Sequence, residues 1–100
     1  MKAKQLIREA FRTDVFTRDG FKCRVCRKDG ELDAHHITDR NEMPNGGYVK
    51  ENGISLCPIC HRKAEQYHIN RTCEPGFHPD ELYRLIRSSQ VLAVKAALKL

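Results

Sequence analysis

Tryptophan is missing from the 100 residues, and aromatics make up only 7% of them. A chain so poor in large apolar rings builds a modest core, and a mean hydropathy of −0.62 fits a single small domain with a polar surface. No apolar run approaches the roughly 18 residues that a membrane span needs. The opening MKAKQLIREAF lacks the apolar stretch of a signal peptide. Membrane and secreted classes are set aside, and the expectation is a soluble, cytoplasmic chain. Internal repeats and low-complexity tracts are lacking as well. So is an even number of cysteines: five thiols exclude complete disulfide pairing within one chain. In a reducing compartment, clustered cysteines are more often metal ligands.

What is present in excess is positive charge. A net charge of +5 and a pI near 9.1 point to an acidic partner, with nucleic acid first. The spacing of Leu6, Ile7, Ala10, Phe11 and Val15 predicts a helix over residues 3–18 with one apolar stripe. RDGF ends it. A cysteine knuckle follows, then a turn at Asp29-Gly30 and a short strand at Glu31–His35. Residues 38–52 are polar with turn signals at Pro44 and Asn45-Gly46-Gly47. GISLC (53–57) predicts a second strand, and PICHRKAEQYH (58–68) a helix with an early proline. An irregular stretch leads to helices within residues 79–99, the last capped by Ser89.

Two constellations carry chemistry. Cys23-x-x-Cys26 and Cys57-x-x-Cys60 are knuckles of the kind whose thiolates share one tetrahedral zinc, so a structural Zn2+ is expected on these four. Cys73 stands alone and is a bystander. Between the knuckles, His35 and His36 sit side by side, although neighbouring side chains on a regular strand point to opposite faces. Asn52 precedes the second strand, and His61 follows the fourth cysteine. Glu65, one turn after His61, reads as a solvated helix charge, with a ligand role as the alternative. His68 and His78 read as surface or hydrogen-bonded residues.

The segments RDGFKCRVC, LDAHHI and NGGYVKENGISLCPICHRKAE together resemble the HNH endonucleases, the ββα-metal or His-Me finger nucleases with a four-cysteine zinc. The resemblance spans roughly residues 16–67 and rests on the order of a histidine pair, an asparagine, four cysteines and a final histidine. It implies an α+β fold: a small zinc-stapled ββα-metal core within one HNH domain over residues 1–100, with flanking helices. It implies a divalent-metal-dependent DNA endonuclease acting by a one-metal mechanism. His36 matches the general base, His35 and His61 the ligands of a catalytic Mg2+ or Mn2+ (Ni2+ or Co2+ as alternatives), and Asn52 the brace of the inter-strand loop. One histidine would ligate and its neighbour abstract, so the strand must end or bulge there. An ordinary imidazole base would make activity rise near pH ~6–7.

Arg40, Lys50 and Arg62 flank these positions and are the expected DNA contacts. Free-standing members of the family are often encoded by phages or mobile elements, which implies possible protein partners of that origin; whether the chain is a monomer or homodimer stays open. Two rival readings are a non-catalytic zinc-binding DNA module and a protein-interaction zinc domain.

Overall fold

The computed structural model describes residues 2–100. Helix α1 (Lys2–Arg18) is followed by the first knuckle and by strand β1 (Asp33–His36). The chain then passes through three short 3-10 turns into strand β2 (Gly53–Leu56) and helix α2 (Pro58–Asn70). Helices α3 (Pro79–Leu85) and α4 (Gln90–Ala97) close the molecule. This is the α+β, ββα core with flanking helices that the sequence implies.

The two strands form one antiparallel hairpin in which His35 faces Ile54 and His36 faces Gly53. Every residue of β2 is buried, because both faces of the hairpin are covered. Ile54 and Leu56 enter the main core with Ile37, Ala64, Leu82, Tyr83 and Ala93. On the opposite face, Gly53 lies under α1. A Cβ there would come within 2.5 Å of Val15 and 2.6 Å of Phe11. Gly53 is therefore a requirement of close helix–strand approach, which a side chain would prevent.

Far from the hairpin partner, the open edge of β2 is satisfied by the segment after α1. The buried carboxylate of Asp19 accepts the Ser55 N–H at 2.8 Å, and Arg24 N–H donates to the Ser55 carbonyl at 2.9 Å. Asp19 is in turn paired with Arg18 at 2.8 Å and Arg24 at 3.5 Å. A buried carboxylate is tolerable only when ringed by donors in this way.

Three boundaries differ from expectation. The α1 stripe buries only Phe11 and Val15; Leu6 is 63% exposed, since the first two turns of the helix project past the core. β1 is displaced toward the C-terminus and ends at His36. Helix α2 runs two residues further, to Asn70 and a left-handed cap at Arg71 (φ 62°), with His68 in its last turn. Ser89 caps α4 as expected, its Oγ accepting the Leu92 N–H at 3.2 Å. No helix among the described residues is long and apolar enough to cross a membrane.

Candidate active site

Local backbone chemistry assembles the thiols first. The left-handed Arg27 (φ 69°) turns the first knuckle, closed by bonds from Cys23 N–H to the Lys28 carbonyl at 2.8 Å and from Arg27 N–H to the Cys23 carbonyl at 2.9 Å. Cys57 is the N-cap of α2, its sulfur accepting the Cys60 N–H. Cys23, Cys26, Cys57 and Cys60 thereby bring their sulfurs within 4.8 Å of one another. Sulfurs sharing a zinc through ~2.3 Å bonds stand about 3.8 Å apart, and Cys26 and Cys57 already lie at 3.6 Å. Burial pushes the Cys23 thiol up, but N–H donors of Cys26, Cys57 and Val25 outweigh it and bring it to about 7. The Cys60 N–H holds Cys57 below the usual thiol range. Cys26 is raised, and burial foremost pushes Cys60 up, so the intrinsic thiolate character of the cluster rests on Cys23 in the knuckle and Cys57 at the helix N-terminus. Cys73 lies outside the cluster.

Asn52 is fully buried and spends its whole hydrogen-bonding capacity on the inter-strand loop and on Tyr83 of α3. Its Oδ1 accepts from the Thr38 N–H at 3.0 Å and the Tyr83 hydroxyl at 2.6 Å. Its Nδ2 donates to the carbonyls of Thr38 at 3.1 Å and Gly47 at 3.3 Å. Gly47 has φ 65°, and a Cβ there would stand 2.7 Å from Nδ2. Tyr83 arrives from α3 and also accepts from the Thr38 hydroxyl at 2.7 Å. Its part in the brace had no signal in the sequence, since α3 reads only as an amphipathic helix.

The histidines line a cleft of about 300 Å³ with Asp39, Arg40 and Glu65. Because β1 ends at His36, both members of the pair reach that cleft from opposite faces of the strand. His35 is 1% exposed, and neither of its ring nitrogens has a hydrogen bond. Its Nδ1 lies 3.3 Å from Glu65 Oε1 without hydrogen-bond alignment. Burial, foremost, lowers its pKa and keeps the ring neutral. His61 turns Nδ1 to Asp33 at 3.2 Å and Nε2 to the same Glu65 oxygen at 3.1 Å. The Glu65 carboxyl is brought down to about 2, chiefly by His35, then by His61 and His68. Glu65 is thus no solvated helix charge: it stands between β1 and α2, facing three imidazoles.

His36 occupies an aromatic slot. Phe11 stacks on it at 4.6 Å, Tyr48 meets it edge-on at 4.7 Å, and its Nε2 is buried without a partner. Burial first, then the nearby His35 and Arg40, lowers its pKa to about 4. The ring is already neutral at pH 6, which corrects the expectation of an ordinary imidazole titrating at ~6–7.

Of the three expected basic contacts, Arg40 lines the cleft and donates to the Tyr48 hydroxyl at 3.2 Å. Arg62 lines a separate hollow with Lys63 and Glu74 on another face of α2. Lys50 is exposed on the last 3-10 turn. Arg8, which drew no notice in sequence, lies over the Tyr48 ring at 5.6 Å. His78 caps α3 through Nδ1 at 3.1 Å from the Asp80 N–H. His68 donates Nε2–H to the His36 carbonyl at 2.8 Å and groups with His35 and Glu65 as potential metal donors.

A two-stranded hairpin and helix, with four thiols at its base and histidines at its mouth, is the ββα-metal architecture. Residues 23–66 match the family model described as HNH endonuclease. That family is one of nucleases. Neither the curated proteins nor the solved structures include a match to this chain.

Proposed function

We propose that this protein is a divalent-metal-dependent DNA endonuclease that hydrolyses phosphodiester bonds with His36 as general base. The observation that carries the reading is one cleft holding two adjacent histidines, His35 buried and His36 half-buried, each with a buried unpartnered ring nitrogen, opposite Glu65 and His61, inside the matched HNH stretch. Unsatisfied buried nitrogens cost stability and mark a group built for a ligand or a reaction.

The donor set fits a divalent ion: the imidazoles of His35 and His61 and one ionised carboxylate, which also suits Mn2+, Ni2+ or Co2+ beside Mg2+. When bound, such an ion stabilises charge on the phosphate and the leaving oxygen. The chain does the rest. His36, neutral and off the ion, accepts the proton of the attacking water, an effect of order 10²–10⁴ in rate. Phe11 and Tyr48 fix its ring, so it needs no reorientation. Asp33 and Glu65 orient His61. Asn52 holds the loop that carries Arg40 and Tyr48. Arg40 and Arg8, both on Tyr48, supply positive charge beside the base, while Lys50 and Arg62 contact phosphates further along the duplex. The four cysteines hold a structural Zn2+ and take no part in the reaction.

The test is a supercoiled-plasmid assay on protein freed of loosely held ions, then given Mg2+, Mn2+ or Ni2+. Conversion to nicked or linear DNA that EDTA stops is the expected result. Salt-sensitive binding without conversion in any metal would favour a zinc-binding DNA module instead.

A further inference from the structure

We propose that His68, beyond the matched HNH stretch, is itself a ligand of the divalent ion in the cleft, closing a three-donor face with His35 and Glu65. The inference rests on the reading above that the cleft holds such an ion. Its evidence is separate from the motif and lies in the last turn of α2.

The tautomer of His68 follows from its one hydrogen bond. Nε2 lies 2.8 Å from the His36 carbonyl, which can only accept, so Nε2 carries the proton. In the neutral ring the lone pair is then on Nδ1. That nitrogen is buried and has no hydrogen-bond partner. The ring stacks on His35 at 5.1 Å and 20°, and His35 too is without partners at both nitrogens. A pair of packing histidines would ordinarily satisfy these atoms. Here, instead, one donor atom from each of His35, Glu65 and His68 lies within 4.8 Å of the other two. Donors on a common ion with ~2.0–2.2 Å bonds stand about 3–3.5 Å apart, a distance that small rotations of the half-exposed Glu65 and the imidazoles reach.

An imidazole that ligates through one nitrogen while its other N–H is fixed on a backbone carbonyl is the usual way proteins orient a histidine ligand. The carbonyl belongs to His36, the proposed base. His68 therefore ties the ion to the peptide that carries the base, so that one cannot shift without the other. His61 is placed differently, with both nitrogens already facing carboxylates.

The experiment uses the full chain with its thiol cluster loaded with zinc, titrated with further Zn2+ and separately with Mn2+ by calorimetry. Long-range 1H–15N spectra of 15N-histidine-labelled protein follow the imidazoles during the Zn2+ titration. In wild type, the Nδ1 resonance of His68 should move on binding while its Nε2 stays protonated, a readout that needs no variant. His68→Gln, assigning that resonance by its loss, should bind at least tenfold more weakly with the thiol-bound zinc retained. Binding in wild type with the His68 Nδ1 unmoved, and unchanged affinity in His68→Gln, would overturn the role of His68 and leave the metal site standing. No uptake beyond the thiol cluster in wild type would overturn the metal-site reading itself, and His68 with it.

Discussion

At the scale of single residues, the site is defined by which imidazoles are left without partners. His35 and His36 are adjacent in sequence yet differ in surroundings: one faces a carboxylate on α2, the other is held between two aromatic rings. Their order with Asn52 and His61 was legible because those residue types rarely recur in that pattern by chance. Glu65 and His68 were not, since their meaning depends on which face of α2 turns toward β1, and a helix of alternating polar residues does not reveal that. The pKa of His36 was not legible either, because its cause is burial by Phe11, far away in the chain. That burial has a consequence for stability. The folded-state pKa of about 4 lies below the ordinary value of 6.5, so the unfolded chain binds more protons between those pH values. The His36 contribution is complete above pH 6.5 and is lost progressively as pH falls toward 4. With no divalent ion added beyond the thiol-bound zinc, urea unfolding at pH 7 and pH 5 should show a smaller loss in His36→Phe than in wild type. Equal losses would contradict the account.

At the scale of elements, the hairpin is a thin layer covered on both faces, and each cover does a separate job. Helix α1 presses on Gly53 and brings Phe11 to His36. Helix α3 sends Tyr83 through to Asn52 and completes the loop brace. The sequence made the strands, helices and turns recognisable through alternation, an early proline and caps, but it did not tell which helix reaches which loop. It also overestimated how much of α1 is covered, because an apolar stripe predicts burial only where another element lies beneath it. Tyr83→Phe should cost about 1–3 kcal/mol in unfolding free energy, since it leaves Asn52 Oδ1 and the Thr38 hydroxyl each short of a partner in a buried setting. Urea denaturation with intact zinc measures it. A neutral result would mean that the brace stands on its backbone contacts alone.

At the scale of the whole molecule, a chain of 100 residues with few aromatics needs more than its apolar core. The four thiols join the segment after α1 to the junction of β2 and α2, the two places that fix the hairpin from below. Cys57 has a double role as thiol and N-cap, so Cys57→Ser should release zinc and lower the melting temperature sharply, as metal binding and folding are coupled. A zinc-free variant melting like wild type would remove the metal from the account of stability. With the base of the hairpin fixed and α1 and α2 clamping its faces, the mouth at His35 and His36 is held in one geometry, with Arg40 lining the cleft beside it.

The most direct test of the central claim sets His36→Ala beside wild type in the plasmid assay, with zinc content and DNA affinity measured on the same preparations. Wild type should convert supercoiled DNA in the presence of a divalent ion, and the variant should lose about 10²-fold or more in rate while keeping its zinc and its salt-dependent binding. Undiminished cleavage by His36→Ala would contradict that claim, and the proton would then have to be taken by another group in the cleft.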